Sequence, residues 1–303
     1  MPSDRPILLL GKTGQVGHEL QHSLRQLGNL VAVSRPEIDF TKPNSVREIV
    51  RAVGPQIIVN AAAYTAVDLA ESEPDIAFAV NAQTPAVLAE EARAGDAALV
   101  HYSTDYVFDG TKKTPWLEED APNPLSAYGR SKAEGEGAVR QWQKHIILRT
   151  SWVVGAHGNN FIKTILRLAR EKDALRVVDD QIGVPTTAAF IAESTAEILR
   201  QTRSEAQSSE RWGTYHLVAS GCTNWYEIAR YVVDQARARG VALTLRPDAL
   251  VPIPTSQYPT PAKRPANSRL DTSKLRGAFN ITSPDWKIGI NPVLNRLLDE
   301  IPS

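Results

Sequence analysis

Cysteine is nearly absent from this chain of 303 residues: Cys222 is the only one. No internal disulfide can form, and a reducing cytoplasm is the expected compartment. An excess of charge of either sign is also lacking. Acidic and basic residues number 34 each, so neither nucleic acid nor an anionic membrane surface is an expected partner. No apolar run approaches the roughly 18 residues a membrane span needs. The opening stretch Met1-Pro2-Ser3-Asp4-Arg5 lacks the layout of a signal peptide. What is present suits a globular protein with a sizeable core: 42% hydrophobic and 22% charged residues. The length allows one large or two modest domains.

Short apolar runs at 6–10, 30–33, 56–60, 98–103 and 145–149 alternate with helical patterns near 43–53, 75–94 and 126–140. That rhythm predicts an α/β fold built on a doubly wound parallel sheet of Rossmann type. Further helices are legible near 159–170, 187–201 and 224–239. Asn224 with Glu227 is placed to cap the last of these, and Gly240 to end it. Prolines crowd 247–265, which predicts an extended loop.

The first apolar run leads at once into Gly11-Lys12-Thr13-Gly14-Gln15-Val16-Gly17. Glycines between a strand and a helix let the backbone turn tightly and approach a pyrophosphate, which the free N–H groups of the helix start would bind. The expected division is a dinucleotide-binding domain over 1–154 and a smaller substrate-binding domain over 155–303. A segment near 187–218 is expected to return to the first.

Further on, Tyr128 and Lys132 stand four apart, one turn from each other on the same side of a predicted helix. An ammonium there would favour the phenolate and pull the Tyr128 pKa down from its ordinary value of about 10. Such a tyrosine could donate a proton to a carbonyl under reduction. Thr104 ends an apolar run, at the edge of the sheet where open α/β folds bind ligands.

The glycine turn, Asn60-Ala61-Ala62-Ala63, Ser103-Thr104-Asp105 and Tyr128-x-x-x-Lys132 occur in this order. Together they resemble the extended short-chain dehydrogenase/reductase family. Arg149-Thr150-Ser151-Trp152, Asn159-Asn160-Phe161, Asp180-Gln181-x-Gly183 and Tyr258-Pro259-Thr260-Pro261-Ala262-x-Arg264-Pro265 extend the likeness over essentially the whole chain. They narrow it to members that reduce a keto group on a nucleotide-linked sugar.

The resemblance implies Tyr128 as proton donor, Lys132 holding the nicotinamide ribose, and Thr104 bonded to the reacting oxygen. Gly11, Gly14, Gln15, Val16 and Gly17 would cradle the pyrophosphate. Ala62, Ala63, Tyr64 and Thr65 would line the cofactor, and Asp39-Phe40 would flank the adenine. Asp105 and Trp152 would contact the sugar, and Arg264 would pair with its diphosphate. The implied partner is a nucleotide-sugar, handled by a cytoplasmic monomer or weak homodimer that serves the synthesis of cell-surface polysaccharide such as O antigen.

Where the family often places an Asp for the ribose 2′-hydroxyl, this chain has Ser34-Arg35. An Arg pairs with a 2′-phosphate, so NADPH is expected to be preferred, with NADH as the second choice. No metal is expected. His18-Glu19-Leu20-Gln21-His22 matches the helix motif of zinc proteases, but the remaining histidines form no second cluster in the sequence. Some family members bind Mg²⁺ through acidic residues, one of which falls at Glu19. Ala189 and Arg296 stand where the others would be and cannot ligate a cation. Two other functions share this scaffold, a C4 epimerase of nucleotide-sugars and a non-catalytic NADP-binding regulatory subunit.

Overall fold

The computed structural model describes residues 5–203 and 205–301. Six parallel strands form the central sheet in the order Gly213–His216, His145–Thr150, Ala98–Thr104, Ile57–Asn60, Ile7–Leu10, Leu30–Val33. Parallel strands are covered on both faces and so read as continuous apolar runs. Ile7-Leu8-Leu9-Leu10 is buried at every position. On one face Leu8, Leu10, Ile58 and Leu99 pack against Val46 and Val50 of helix Pro43–Val53 and Leu88 of helix Thr84–Ala94. On the other, Ile7, Leu9, Val59 and Val100 meet Leu20 and Leu24 of helix Gln15–Arg25 and Ile191 and Ile198 of helix Ala188–Thr202. That last helix and strand Gly213–His216 therefore bring the chain back to the sheet after a long excursion.

The strand order reverses at Ile7–Leu10, which opens a crevice at the carboxyl ends of the strands. A third core stands apart from the sheet. It joins Ile162, Ile165 and Leu166 of helix Phe161–Glu171 to Val232 and Val233 of helix Trp225–Ala238 and Leu294 of helix Trp286–Asp299. Asn224 does cap Trp225–Ala238, its side chain accepting from Glu227 N at 2.8 Å.

Two local expectations change. The helix expected over 75–94 is Pro74–Phe78 and Thr84–Ala94, joined by a π-helical turn, Ala79–Gln83. Helix Ala127–Val139 presses on that turn so closely that a Cβ on Gly135 would lie 2.0 Å from the Asn81 carbonyl oxygen. The widened turn delivers the Asn81 side chain to Tyr64 and Ser131. The proline-rich stretch also contains a strand, Leu250–Ile253, paired in parallel with Leu175–Val178. Pro252 is tolerated there because a two-stranded pair leaves one side of each strand without a hydrogen-bonding neighbour.

The helix that carries Tyr128 and Lys132 is pinned to the sheet by charge. Arg149 and Glu136 have fully buried side chains, with Nε donating to Oε1 at 2.8 Å and Nη2 to Oε2 at 2.7 Å. Arg140 also donates to Glu136, from a half-exposed position. Replacing Arg149 by Leu leaves the Glu136 carboxylate in the dry core with only the half-exposed Arg140 beside it. It should lower unfolding free energy in urea by about 3 kcal/mol, with much of the loss recovered when Glu136→Leu is added. A single variant as stable as the parent would show that the pair does not hold the helix.

Candidate active site

Strand Ile7–Leu10 ends at Gly11, whose φ of +88° suits glycine and whose N–H donates to Val33 O at 2.8 Å. Helix Gln15–Arg25 starts against this turn, and a Cβ on Gly17 would lie 2.0 Å from Gly11 O. Gly14 at the cap supplies no side-chain hydrogen bond, so the first N–H groups of the helix are not taken by a cap. A Cβ on Gly14 would meet only Gly11 O, at 3.5 Å, so the space above the turn is open. These features fit the diphosphate of a dinucleotide. Gln15 reaches sideways to accept from Asn160 Nδ2 at 3.0 Å, and Val16 packs toward the sheet.

The other cofactor candidates lie along the same edge. Ala62 N donates to Asn60 Oδ1 at 3.2 Å, and Ala62 is buried while Ala63 and Thr65 are exposed. Tyr64 is clamped, its N–H donating to Asn81 Oδ1 at 2.9 Å and its hydroxyl to Glu73 at 2.8 Å. Asp39 accepts from Thr41 N and Oγ1 at 2.9 and 2.6 Å. Phe40 belongs to the core beneath the sheet, so its ring is not free to stack on an adenine. Ser34 is buried at the end of strand Leu30–Val33, and Arg35 beside it is exposed.

Tyr128, Lys132 and Thr104 come together at the carboxyl end of Ala98–Thr104. Ser126 caps helix Ala127–Val139 by accepting from Gly129 N at 3.1 Å, which sets the helix start. The Thr104 hydroxyl donates to Asp105 Oδ1 at 3.0 Å, accepts from Tyr106 N at 3.2 Å and interacts with the Tyr128 phenol. Lys132 is buried and donates to Tyr102 O at 2.6 Å, with His101 Nε2 at 3.3 Å.

This geometry corrects the expected electrostatics. Burial raises Tyr128 to about 12, only partly offset by Thr104, and among the described residues no hydrogen bond links it to Lys132. That direction is the reverse of the one expected. Lys132 is the group that moves toward neutrality: burial lowers it to about 8. Sequence reasoning overlooked His101 and Asn81, which sit inside ordinary apolar or helical patterns. Only the pairing of strands and helices brings them here.

On the substrate side, Asp105 is buried next to Thr104, and that burial pushes its carboxyl up to about 6. Trp152 adopts a φ of +46° and stacks on Trp225 with centroids 3.9 Å apart. Arg264 is already paired, donating to Asp68 Oδ1 at 3.0 Å and Oδ2 at 2.7 Å. It borders a cavity of about 300 Å³ whose other walls include Phe161, Gln181, Trp225, Tyr258 and Thr260. Trp225 and Phe161 line this cavity, and sequence reasoning did not single them out for binding.

The histidines also differ from expectation. His157 stacks on His18 with ring centroids 3.5 Å apart, and His18, Glu19 and His157 offer ligand atoms within 4.8 Å of one another. His22 contacts Gln26 instead, so the zinc-protease spacing is not what assembles this group. Burial, then the charges of His18 and Arg296, lower the His157 pKa.

A family model described as the RmlD substrate binding domain matches residues 5–299. The dTDP-4-dehydrorhamnose reductase of Escherichia coli K12 is 49% identical over 296 residues, covering 96% of this chain and 97% of that one. A crystal structure of a dTDP-4-dehydrorhamnose reductase from Clostridium acetobutylicum superposes with a TM-score of 0.86 at 34% identity, covering 96% and 99% of the two chains. The enzyme of the same name from Bacillus anthracis, solved in complex with NADP, gives 0.85 at 32% identity over the same shares.

Gly17→Ala forces a methyl group into the Gly11 carbonyl and should weaken binding of a reduced dinucleotide by at least about tenfold, or 1.4 kcal/mol, in a fluorescence titration. Unchanged affinity in a folded variant would remove the glycine turn from the cofactor site.

Proposed function

This chain belongs to the RmlD substrate binding domain family of dTDP-4-dehydrorhamnose reductases, and we propose how its own residues carry that reaction. It is an oxidoreductase that converts the C4 keto group of dTDP-4-dehydro-L-rhamnose to the alcohol of dTDP-L-rhamnose. The product serves polysaccharide biosynthesis. The observation that carries this assignment is the meeting of Tyr128, Thr104 and Lys132 at the same sheet edge as the glycine turn.

Gly11, Gly14, Gln15, Val16 and Gly17 hold the diphosphate of NADP(H). Ala62, Ala63, Tyr64 and Thr65 would line the next part of the dinucleotide, and Lys132 would hold the nicotinamide ribose. When bound, the dinucleotide supplies a hydride to C4 of the sugar. Tyr128 gives its proton to the oxygen as the carbonyl becomes an alkoxide, so the carbon gains a hydride and the oxygen a proton. A phenol held near 12 keeps its proton at neutral pH. An alkoxide is a stronger base than even that phenolate, so the transfer runs downhill. The Thr104 hydroxyl faces the same oxygen, while Asp105 and Trp152 orient the ring. Arg264 meets the diphosphate of the substrate only by sharing its charge with Asp68.

Ser34-Arg35 in place of an acidic residue supports a preference for NADPH over NADH. Ala189 and Arg296, neither able to ligate a cation, support a monomer or weak homodimer without bridging Mg²⁺. The single cysteine supports a cytoplasmic setting. The epimerase and the non-catalytic subunit are less favoured, because reductases of one activity match over nearly the whole chain.

Mixing the protein with NADPH and dTDP-4-dehydro-L-rhamnose should remove nicotinamide absorbance in step with product. Tyr128→Phe should lower kcat by about 10²–10⁴ and leave NADPH affinity nearly intact. Turnover of the sugar without net NADPH loss would mark an epimerase. A fully active Tyr128→Phe would remove the proton donor.

A further inference from the structure

The Thr104 hydroxyl has more neighbours than its one proton can reach. A hydroxyl donates once and accepts twice. This one donates to Asp105 Oδ1 at 3.0 Å, accepts from Tyr106 N at 3.2 Å and meets the Tyr128 phenol on its remaining side. An ionised Asp105 can only accept, so it keeps the Thr104 proton for itself. Tyr128 then meets Thr104 only as a donor, which turns the phenolic proton toward Thr104 and away from a substrate oxygen. A neutral Asp105 reverses the chain. Its carboxyl O–H donates to Thr104, and the Thr104 proton is free to point at the oxygen that Tyr128 serves.

The surroundings of Asp105 favour the neutral form. It opens the short turn Asp105–Val107 and is 2% exposed. Its Oδ2 has no hydrogen-bond partner among the described residues. A buried carboxylate oxygen without a donor is far more costly than the same oxygen in a neutral acid. The groups that act on this carboxyl are the Ser268 and Thr104 hydroxyls and its own N–H, and none is a cation. The Tyr106 and Tyr128 phenols also face it, both held above the ordinary tyrosine range and so uncharged at neutral pH. Arg264 and Asp68 act on Tyr106 and pair with each other. Lys132 is directed at Tyr102 O and His101. Burial already brings the Asp105 carboxyl up to about 6, and a sugar seated over it removes more water and moves it higher.

We propose that Asp105 enters turnover as a neutral carboxylic acid and acts through Thr104 as a positioning residue, so that Thr104 and Tyr128 both direct a proton at the reacting oxygen. The proposal rests on the reductase function given above and deepens it. The proton sits on Oδ1, beside Thr104, which leaves Oδ2 to accept from a hydroxyl of the sugar. An acid kept neutral by a dry site in order to donate a hydrogen bond is a known device of enzymes that stabilise a developing oxyanion.

Two measurements on the full chain test this. Infrared spectra of the protein without ligands should show the carbonyl band of a protonated carboxyl that Asp105→Asn removes and that disappears as pH rises through about 6. Disappearance near the ordinary value of about 3.9 overturns the proposal. The second is kcat/KM for dTDP-4-dehydro-L-rhamnose at saturating NADPH, which should fall about tenfold between about pH 5 and about pH 7. Asp105→Asn presents an amide that can donate to Thr104 at every pH, so its profile should lack that fall. Thr104→Val should lower kcat/KM at least about tenfold at about pH 5 and less than about threefold at about pH 7, whereas a merely structural threonine would be missed equally at both. A flat parent profile, an Asp105→Asn profile with the parent's fall, or an equal loss in Thr104→Val at both pH values overturns the proposal. Absence of turnover at any pH would contradict the reductase function, and the infrared titration would still decide the charge of Asp105.

Discussion

A lysine ammonium taken out of water sets the terms for the rest of this site. Lys132 is almost completely buried, held by the Tyr102 carbonyl and faced by a neutral His101. Burial disfavours its charge, so it gives up its proton near 8, against 10.5 when exposed. The penalty for burying the charge is present in full below about pH 8 and is relieved as pH rises toward 10.5, because the unfolded chain then holds the extra proton. The molecule tolerates this cost where a helix and two strands over-determine the position of one side chain.

Sheet register supplies the other half of the arrangement. Asn60 and His101 are direct partners across adjacent strands. The Asn60 Oδ1 accepts from Ala62 N, which leaves its amide nitrogen to donate to His101 Nδ1 at 3.1 Å. Those partners assign the imidazole proton to Nε2, the nitrogen nearest Lys132. Burial favours the uncharged lysine against the opposing pull of the Glu136 carboxylate, and burial keeps His101 itself neutral. The Arg149–Glu136 pair and the contact of Gly135 with Asn81 both act on the same helix, and so fix where Lys132 can lie. Tyr128, one turn away, is partly buried, and that burial keeps its proton on.

Much of this was legible in the residues. Continuous apolar runs mark strands covered on both faces. The glycine turn falls between strand and helix as read, with the helix start left without a side-chain cap, and a Tyr and a Lys four apart must share a helix side. The parts that were not legible are contacts between distant segments. Asp68 and Arg264 are 196 residues apart and meet through two loops. His18 and His157 meet only because the segment after Val153–Val154 folds over the first helix. The direction of the Tyr128 shift is not legible in the sequence because spacing along a helix gives proximity. It does not give hydration or the bonds that a lysine prefers.

The most direct test is the titration of Lys132 itself, by NMR of the free protein carrying isotope-labelled lysine, with Lys132→Met to assign the signal. A side chain that titrates near 8 is predicted. A value at the ordinary 10.4 or so would contradict the account, because it would mean that the ammonium remains in water.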